Sequence, residues 1–127
     1  MKKILILLFS LLISFNSYAE WQYISENTDG GRFYADIDNF REHNGYIYYW
    51  ILGDYLLPMG GEVMSANYYF QGDCNLMRFK NLSFIHYNQP MGNGVIRTST
   101  PPNPQWDYAG PESVNYIALN LVCKYLK

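Results

Sequence analysis

Few side chains in this sequence are placed to do chemistry, and the most suggestive are its two cysteines, Cys74 and Cys123. They are too distant for a CxxC redox motif. In an oxidising compartment the default for such a pair is a structural disulfide. It would close a loop of about 50 residues, a constraint of roughly 4 kcal/mol in the chain-entropy picture. The alternative is two free buried thiols. Asp36 and Asp38 could form a carboxylate pair, but they fall in a predicted turn, where carboxylates cap backbone N–H groups. His43 and His86 lie on different predicted elements, and neither has a Cys or His at metal-ligand spacing. HExxH, GxSxG and glycine-rich phosphate loops do not occur. Neither a catalytic constellation nor a metal or cofactor site is expected.

The compartment is argued from the first residues. Lys2 and Lys3 give a positive start, Ile4–Phe15 is apolar apart from Ser10 and Ser14, and Ser17-Tyr18-Ala19 puts small residues at the −3 and −1 positions of a cleavage site. An apolar run of about 12 residues is shorter than the ~20 of a membrane-spanning helix. Residues 1–19 are therefore expected to be a cleavable signal peptide, and 20–127 a single domain. A lipid anchor would need a cysteine after the cleavage point, where Glu20 stands. The expectation is an exported chain, periplasmic or extracellular, soluble after cleavage near Ala19, with no membrane span or lipid anchor.

The formal charge of the whole chain is −2. Loss of Lys2 and Lys3 leaves 7 basic against 11 acidic side chains, a charge of −4. Such a chain has no electrostatic reason to bind nucleic acid or anionic lipid. The sequence holds 13 Tyr, 7 Phe and 3 Trp, residue types that suit a pleated, half-buried surface. They read as sheet core and cross-strand pairs, or, on the sharper reading, as an aromatic recognition surface.

Hydrophobic patterning predicts strands at Glu20–Ser25 and Arg32–Ala35, joined as a hairpin, with a short helical turn over Asp36–Phe40 and a polar turn over Arg41–Gly45. Tyr46–Leu56 is the longest strand candidate, either an edge that pairs with a second copy or a central strand. Glu62–Gln71 alternates cleanly. Leu76–Tyr87 switches phase between Phe79 and Leu82, which predicts a β-bulge near Lys80–Leu82. Val95–Ser99 is a short sixth strand. The proline-rich Thr100–Pro111 is read as irregular. Val114, Ile117, Ala118, Leu121, Val122 and Tyr125 then form one helical stripe, with Pro111 suited to the first helical position. The expected class is α+β: an antiparallel sheet of about six strands with one C-terminal helix packed on one face. Cys123 in the last helical turn would tie that helix to Cys74, before the fifth strand.

Two segments are candidate binding loops. One is the turn Pro90, Met91, Gly92, Asn93 and Gly94, which is either a hairpin connection or a protruding contact loop. The other is the proline-rich segment with Trp106 and Tyr108, whose aromatics either anchor a partner or fold back onto the sheet.

Several features in order resemble the surface-adhesin protein E family of small exported bacterial proteins. They are Trp21, Phe33-Tyr34-Ala35-Asp36, Trp50-Ile51-Leu52, Asp54-Tyr55, Ser65, Asp73-Cys74, the Pro90–Gly94 turn, Trp106, Pro111-Glu112-Ser113 and Cys123. The resemblance implies an antiparallel sheet with a C-terminal helix, self-association as a homodimer, and binding to host extracellular-matrix or plasma proteins. The expected function is non-enzymatic protein binding of the adhesin E type. The competing expectation is a periplasmic inhibitor or accessory protein, lysozyme-inhibitor-like, with the Pro90–Gly94 turn as its plug.

Overall fold

The computed structural model describes residues 21–58, 62–101 and 103–126; the expected leader and its cleavage site lie outside them. In chain order the elements are β1 (Trp21–Glu26), β2 (Arg32–Asp36), β3 (Arg41–His43), β4 (Tyr46–Asp54), β5 (Ser65–Asp73), β6 (Arg78–Gln89), a 3-10 turn (Pro90–Gly92), β7 (Asn93–Ser99), β8 (Asp107–Tyr108) and helix α1 (Val114–Lys124). All pairings are antiparallel, and the main path across the sheet is β1-β2-β4-β5-β6-β7.

The strands of that path follow one another in sequence, with β3 intervening between β2 and β4; the β1–β2, β5–β6 and β6–β7 connections are short, and residues 55–64 form a longer one between β4 and β5. β2 pairs with the Ile51–Asp54 half of β4 and β3 with the Tyr46–Tyr48 half, so the two lie end to end on one side of β4. On the other side β4 pairs with β5 along nearly its whole length. The aromatic strand is thus central, and a second copy has no free edge of β4 to pair with. β7 and β8 likewise share the outer side of β6. The predicted bulge is present: Tyr69 pairs with Ser83 and Phe70 with Asn81, leaving Leu82 as the extra residue.

Period-2 geometry sends alternate side chains to opposite faces. Ala35, Ile47, Tyr49, Ile51 and Phe70 go to one face and form a single core with Ala118, Leu119 and Val122 of α1. The helix crosses β1, β2 and β4 and reaches the end of β5 at Gly72. A Cβ at Gly72 would stand 2.6 Å from Leu119 Cδ1 and 3.0 Å from Ile47 Cγ2, so this close approach requires glycine. The Cys74–Cys123 disulfide, with Cα atoms 5.8 Å apart, staples the last helical turn to the β5–β6 connection.

Four expectations need correction. The helix starts at Val114 instead of Pro111: Glu112 has φ of 69°, outside helical space, and Ser113 is the N-cap, its hydroxyl accepting from Tyr116 N–H at 3.1 Å. Arg41–His43 is a strand rather than part of a turn, because β4 offers it free backbone partners beyond the end of β2. The proline-rich segment contains one short strand, Asp107–Tyr108, which pairs with Arg78 and Phe79. Asp36–Phe40 is a bend without helical hydrogen bonding.

Candidate functional site

The sheet face opposite the helix is built from the other half of the same strands. In β4 these are Tyr46, Tyr48 and Trp50; in β5, Tyr69 and Gln71; in β2, Tyr34. No helix lies on this face among the described residues, and its rings are half-buried, covered mainly by one another. Tyr69 packs against Trp50 with ring centroids 4.7 Å apart and against Tyr48 at 6.2 Å. Tyr34 meets Tyr23 of β1 edge-on at 5.8 Å. Aromatic pairs at these spacings contribute about 0.5–1.5 kcal/mol each beyond area burial, so the face is organised without a covering layer.

Cations are set into it. β3 places Arg41 opposite Tyr48, with the guanidinium carbon 5.5 Å from that ring's centroid. At the other end Trp106 folds back from the proline-rich segment onto Tyr46, ring centroids 5.3 Å apart. Arg78 and Lys80 of β6 lie over the same indole, at 4.3 and 4.5 Å. Arg78 also donates through Nε to Asp73 Oδ2 at 2.9 Å. Burial raises the Asp73 carboxyl's proton affinity, but Arg78 and the backbone N–H groups of Asn75 and Leu76 outweigh it and hold the group below its ordinary value. Trp106 is therefore part of the sheet's aromatic layer and still partly open to solvent, whereas Tyr108 beside it is 66% exposed.

The Pro90–Gly92 turn also lies on this face. Met91 N–H donates to Asp54 Oδ1 and Gly92 N–H to Ser65 Oγ, both at 2.9 Å, while the Ser65 hydroxyl donates to Gln89 carbonyl oxygen at 2.7 Å. Gly92 packs on Leu52, which is 1% exposed. The turn is held against the sheet by its own backbone, with the Met91 side chain left 39% exposed and Asn93 and Gly94 opening β7.

The remaining candidates are engaged structurally. Asp36 is buried and accepts from Asp38 N–H at 3.1 Å and Asn39 Nδ2 at 2.9 Å, which closes the bend before β3. His86 is buried on the helix side, stacked on Phe84 at 4.6 Å and accepting at Nδ1 from Arg97 Nε at 3.2 Å. Burial first, and the Arg97 charge second, push its imidazole below the ordinary value and keep it neutral. Among the described residues no three His, Cys, Asp or Glu side chains are placed to share a metal ion, and no helix is long and apolar enough to cross a membrane.

Sequence reasoning picked out Trp106 and missed Arg41, Trp50, Tyr69 and Lys80. Their only signal is parity: they share a face once the register β3-β4-β5-β6 is known.

Fold and surface together define a small disulfide-closed α+β domain: one antiparallel sheet, one face packed in part by a helix and the other a half-buried aromatic layer without one. The sequence matches the model of the surface-adhesin protein E family over residues 21–124, and the chain belongs to that family. No curated protein sequence gives a significant match. Among solved structures, crystal form II of Haemophilus influenzae protein E superposes with a TM-score of 0.63 at 14% identity, covering 87% of this chain and 91% of that one. A further structure of Haemophilus influenzae protein E gives 0.62 at 14%, covering 87% and 88%. Protein E from non-typeable Haemophilus influenzae gives 0.57 at 14%, covering 86% and 78%. At that identity the likeness is one of fold.

Proposed function

We propose that this chain is an exported, non-enzymatic protein-binding domain of the adhesin E type, released by cleavage near Ala19 and acting in the periplasm or outside the cell, and that its contact surface is the open aromatic face. The observation that carries the reading is that Trp50, Tyr69, Tyr48, Tyr46 and Trp106 form a preorganised, partly exposed layer, bordered by Arg41, Arg78 and Lys80. Tyr, Trp and Arg are the residue types that dominate binding energy at protein interfaces, and here their rotamers are already fixed by each other. Tyr108 and Met91 lie at opposite borders of the layer and extend it. Family membership supports host extracellular-matrix or plasma proteins as partners. Self-association as a homodimer, if it adds a strand, would use β1 or β7, the outer strands of the sheet path. β7 leaves Val95 65% and Ile96 43% exposed.

The test is surface plasmon resonance of the exported chain against immobilised laminin, vitronectin and plasminogen. Binding should fall at least ten-fold in Trp50→Ala and Tyr69→Ala. Absence of binding to all three at physiological salt would sink the adhesin reading, and binding that ignores both substitutions would move the contact surface elsewhere.

A further inference from the structure

The helix covers only part of its face. It packs on β1, β2 and β4, and Val114 and Asn115 of its first turn border a part of the same face formed with side chains of β5 and β6. A cleft of about 380 Å³ opens there, walled by the rings of Phe33, Tyr55, Tyr68, Phe70 and Phe79. That is within the range of about 300–1,000 Å³ typical of small-molecule sites. By contrast, the cleft beside Pro90 is lined by Glu26, Arg32 and Asp54.

Three features give the apolar cleft a chemical character. The first is its lining, which holds no carboxylate, amine, guanidinium or imidazole; its polar side chains are Asn27, Asn81, Asn115 and the two tyrosines. The second is the phenol pair. Tyr55 and Tyr68 hydroxyls are hydrogen-bonded to each other, and burial, before any other cause, pushes both above the ordinary phenol value, so neither supplies a charge. The third is Asn81. It sits immediately before the bulged Leu82 and lines the cleft, and its amide oxygen, which has no hydrogen-bond partner, is buried below the cleft surface, so that the side chain must turn for this oxygen to meet a ligand. A buried acceptor left unpaired is costly, and a donor brought by a ligand would offset that cost. β-Bulges concentrate where a strand re-aims a side chain beside a site.

We propose that this cleft binds an uncharged aromatic small molecule carrying a hydrogen-bond donor, its rings against Phe33, Phe70 and Phe79 and its donor on the Asn81 amide. An anionic ligand would be desolvated there with no cation to meet it. The site is separate from the aromatic face, so it stands or falls independently of the protein-binding reading.

Two dyes that share an arylamine skeleton test it. N-phenyl-1-naphthylamine is neutral with one N–H donor; 8-anilinonaphthalene-1-sulfonate adds a sulfonate. With the exported, disulfide-intact protein, and exciting the dye directly, the neutral probe should give saturable enhancement at one site per chain. The sulfonate should bind at least ten-fold more weakly. Val114→Trp, which fills the cleft from the helix wall, should weaken the neutral probe at least ten-fold, and Asn81→Leu about five-fold. Asn115→Trp, at an exposed position on the rim, is the second blocking variant should Val114→Trp not fold. Trp50→Ala, on the opposite face, should leave binding unchanged. Equal affinity for the two dyes, non-saturable enhancement, indifference to the folded blocking variants, or loss in Trp50→Ala would overturn the proposal.

Discussion

The two faces of this sheet use the same strands and reach order by different means. On the helix side the β4 residues are Ile47, Tyr49 and Ile51, all at most 3% exposed, sealed by Leu119 and Val122 at 0%. On the other side they are Tyr46, Tyr48 and Trp50, half-buried and held by ring–ring and cation–ring contacts. Where the helix lies, the first face excludes water by a second layer. The open face has side chains that tolerate water at one end and apolar contact along the other, which is what a hydroxyl- or N–H-bearing ring provides. A β-branched or leucine-rich open face would have the same area and far less tolerance of solvent. The helix side therefore carries the larger share of stability and the open face the protein-binding surface proposed above, and substitutions should separate them.

The largest effect should come from unfastening the seal. Replacing Cys74 and Cys123 by serine, or reducing the bridge, should lower unfolding free energy by about 2–5 kcal/mol, the usual result in a small exported domain. Urea denaturation with and without reductant measures it; an unchanged midpoint would mean that the helix docks as firmly without its staple. Next, Leu119→Ala should cost about 2–5 kcal/mol, because the residue is 0% exposed and meets β4 and β5 together. Gly72→Ala at the same contact should cost about 1–3 kcal/mol, by overpacking instead of loss of volume. If either proved neutral, the helix-covered face would not be the tightly packed one.

How much of this contrast was legible beforehand depends on the strand. In β5 the alternation of Ala66, Tyr68 and Phe70 with Ser65, Asn67 and Tyr69 gave the two faces directly, and the phase slip between Phe79 and Leu82 gave the bulge. The α1 stripe and the cysteine pairing were equally plain, since one helix and two cysteines leave few arrangements. β4 was different. Tyr46-Ile47-Tyr48-Tyr49-Trp50-Ile51-Leu52 is apolar or aromatic throughout, so periodicity could say that both faces are partly covered but not which one takes the helix. The helix takes the Ile47 and Tyr49 side, where Leu119 approaches the sheet at Gly72 of β5. The open face escaped detection because its members, from Arg41 to Trp106, come from five separated segments. The small-molecule cleft escaped for the same reason. The Pro90–Gly94 turn was visible as a turn, but its hydrogen bonds to Asp54 and Ser65 are long-range contacts with no local signature.

On the open face the stability effects should be smaller. Trp106→Ala removes one stacking partner of Tyr46 and the ring beneath Arg78 and Lys80. Partly exposed cation–ring contacts contribute about 0.5–1 kcal/mol each, so a loss of roughly 1–2 kcal/mol is expected, against at least a ten-fold loss in protein binding. A reversed ratio, with binding intact and stability collapsed, would make Trp106 core in all but position.

The smallest expected effect is a titration at the border of that layer. Asp73 holds Arg78 in place over Trp106, and its folded-state proton affinity is lowered by Arg78 and two backbone N–H groups despite the opposing effect of burial. A carboxylate depressed in the folded state contributes stability that is present above its unfolded value, about 3.9, and is lost as pH falls through the lower folded value. Below that point Arg78 loses its anionic partner, so the guanidinium over Trp106 becomes less constrained while the helix side is untouched. Asp73→Asn should flatten this segment of the acid unfolding curve by removing, at neutral pH, the stability that the ionised carboxylate contributes through Arg78, while its amide oxygen still accepts from Asn75 and Leu76. Near-ultraviolet circular dichroism, in which the Trp106 environment contributes, should then change with acid in the native protein and not in the variant. If both change alike, the acid response belongs to the helix-covered face. His86 is the group to examine there, since it too must gain a proton against burial and against Arg97.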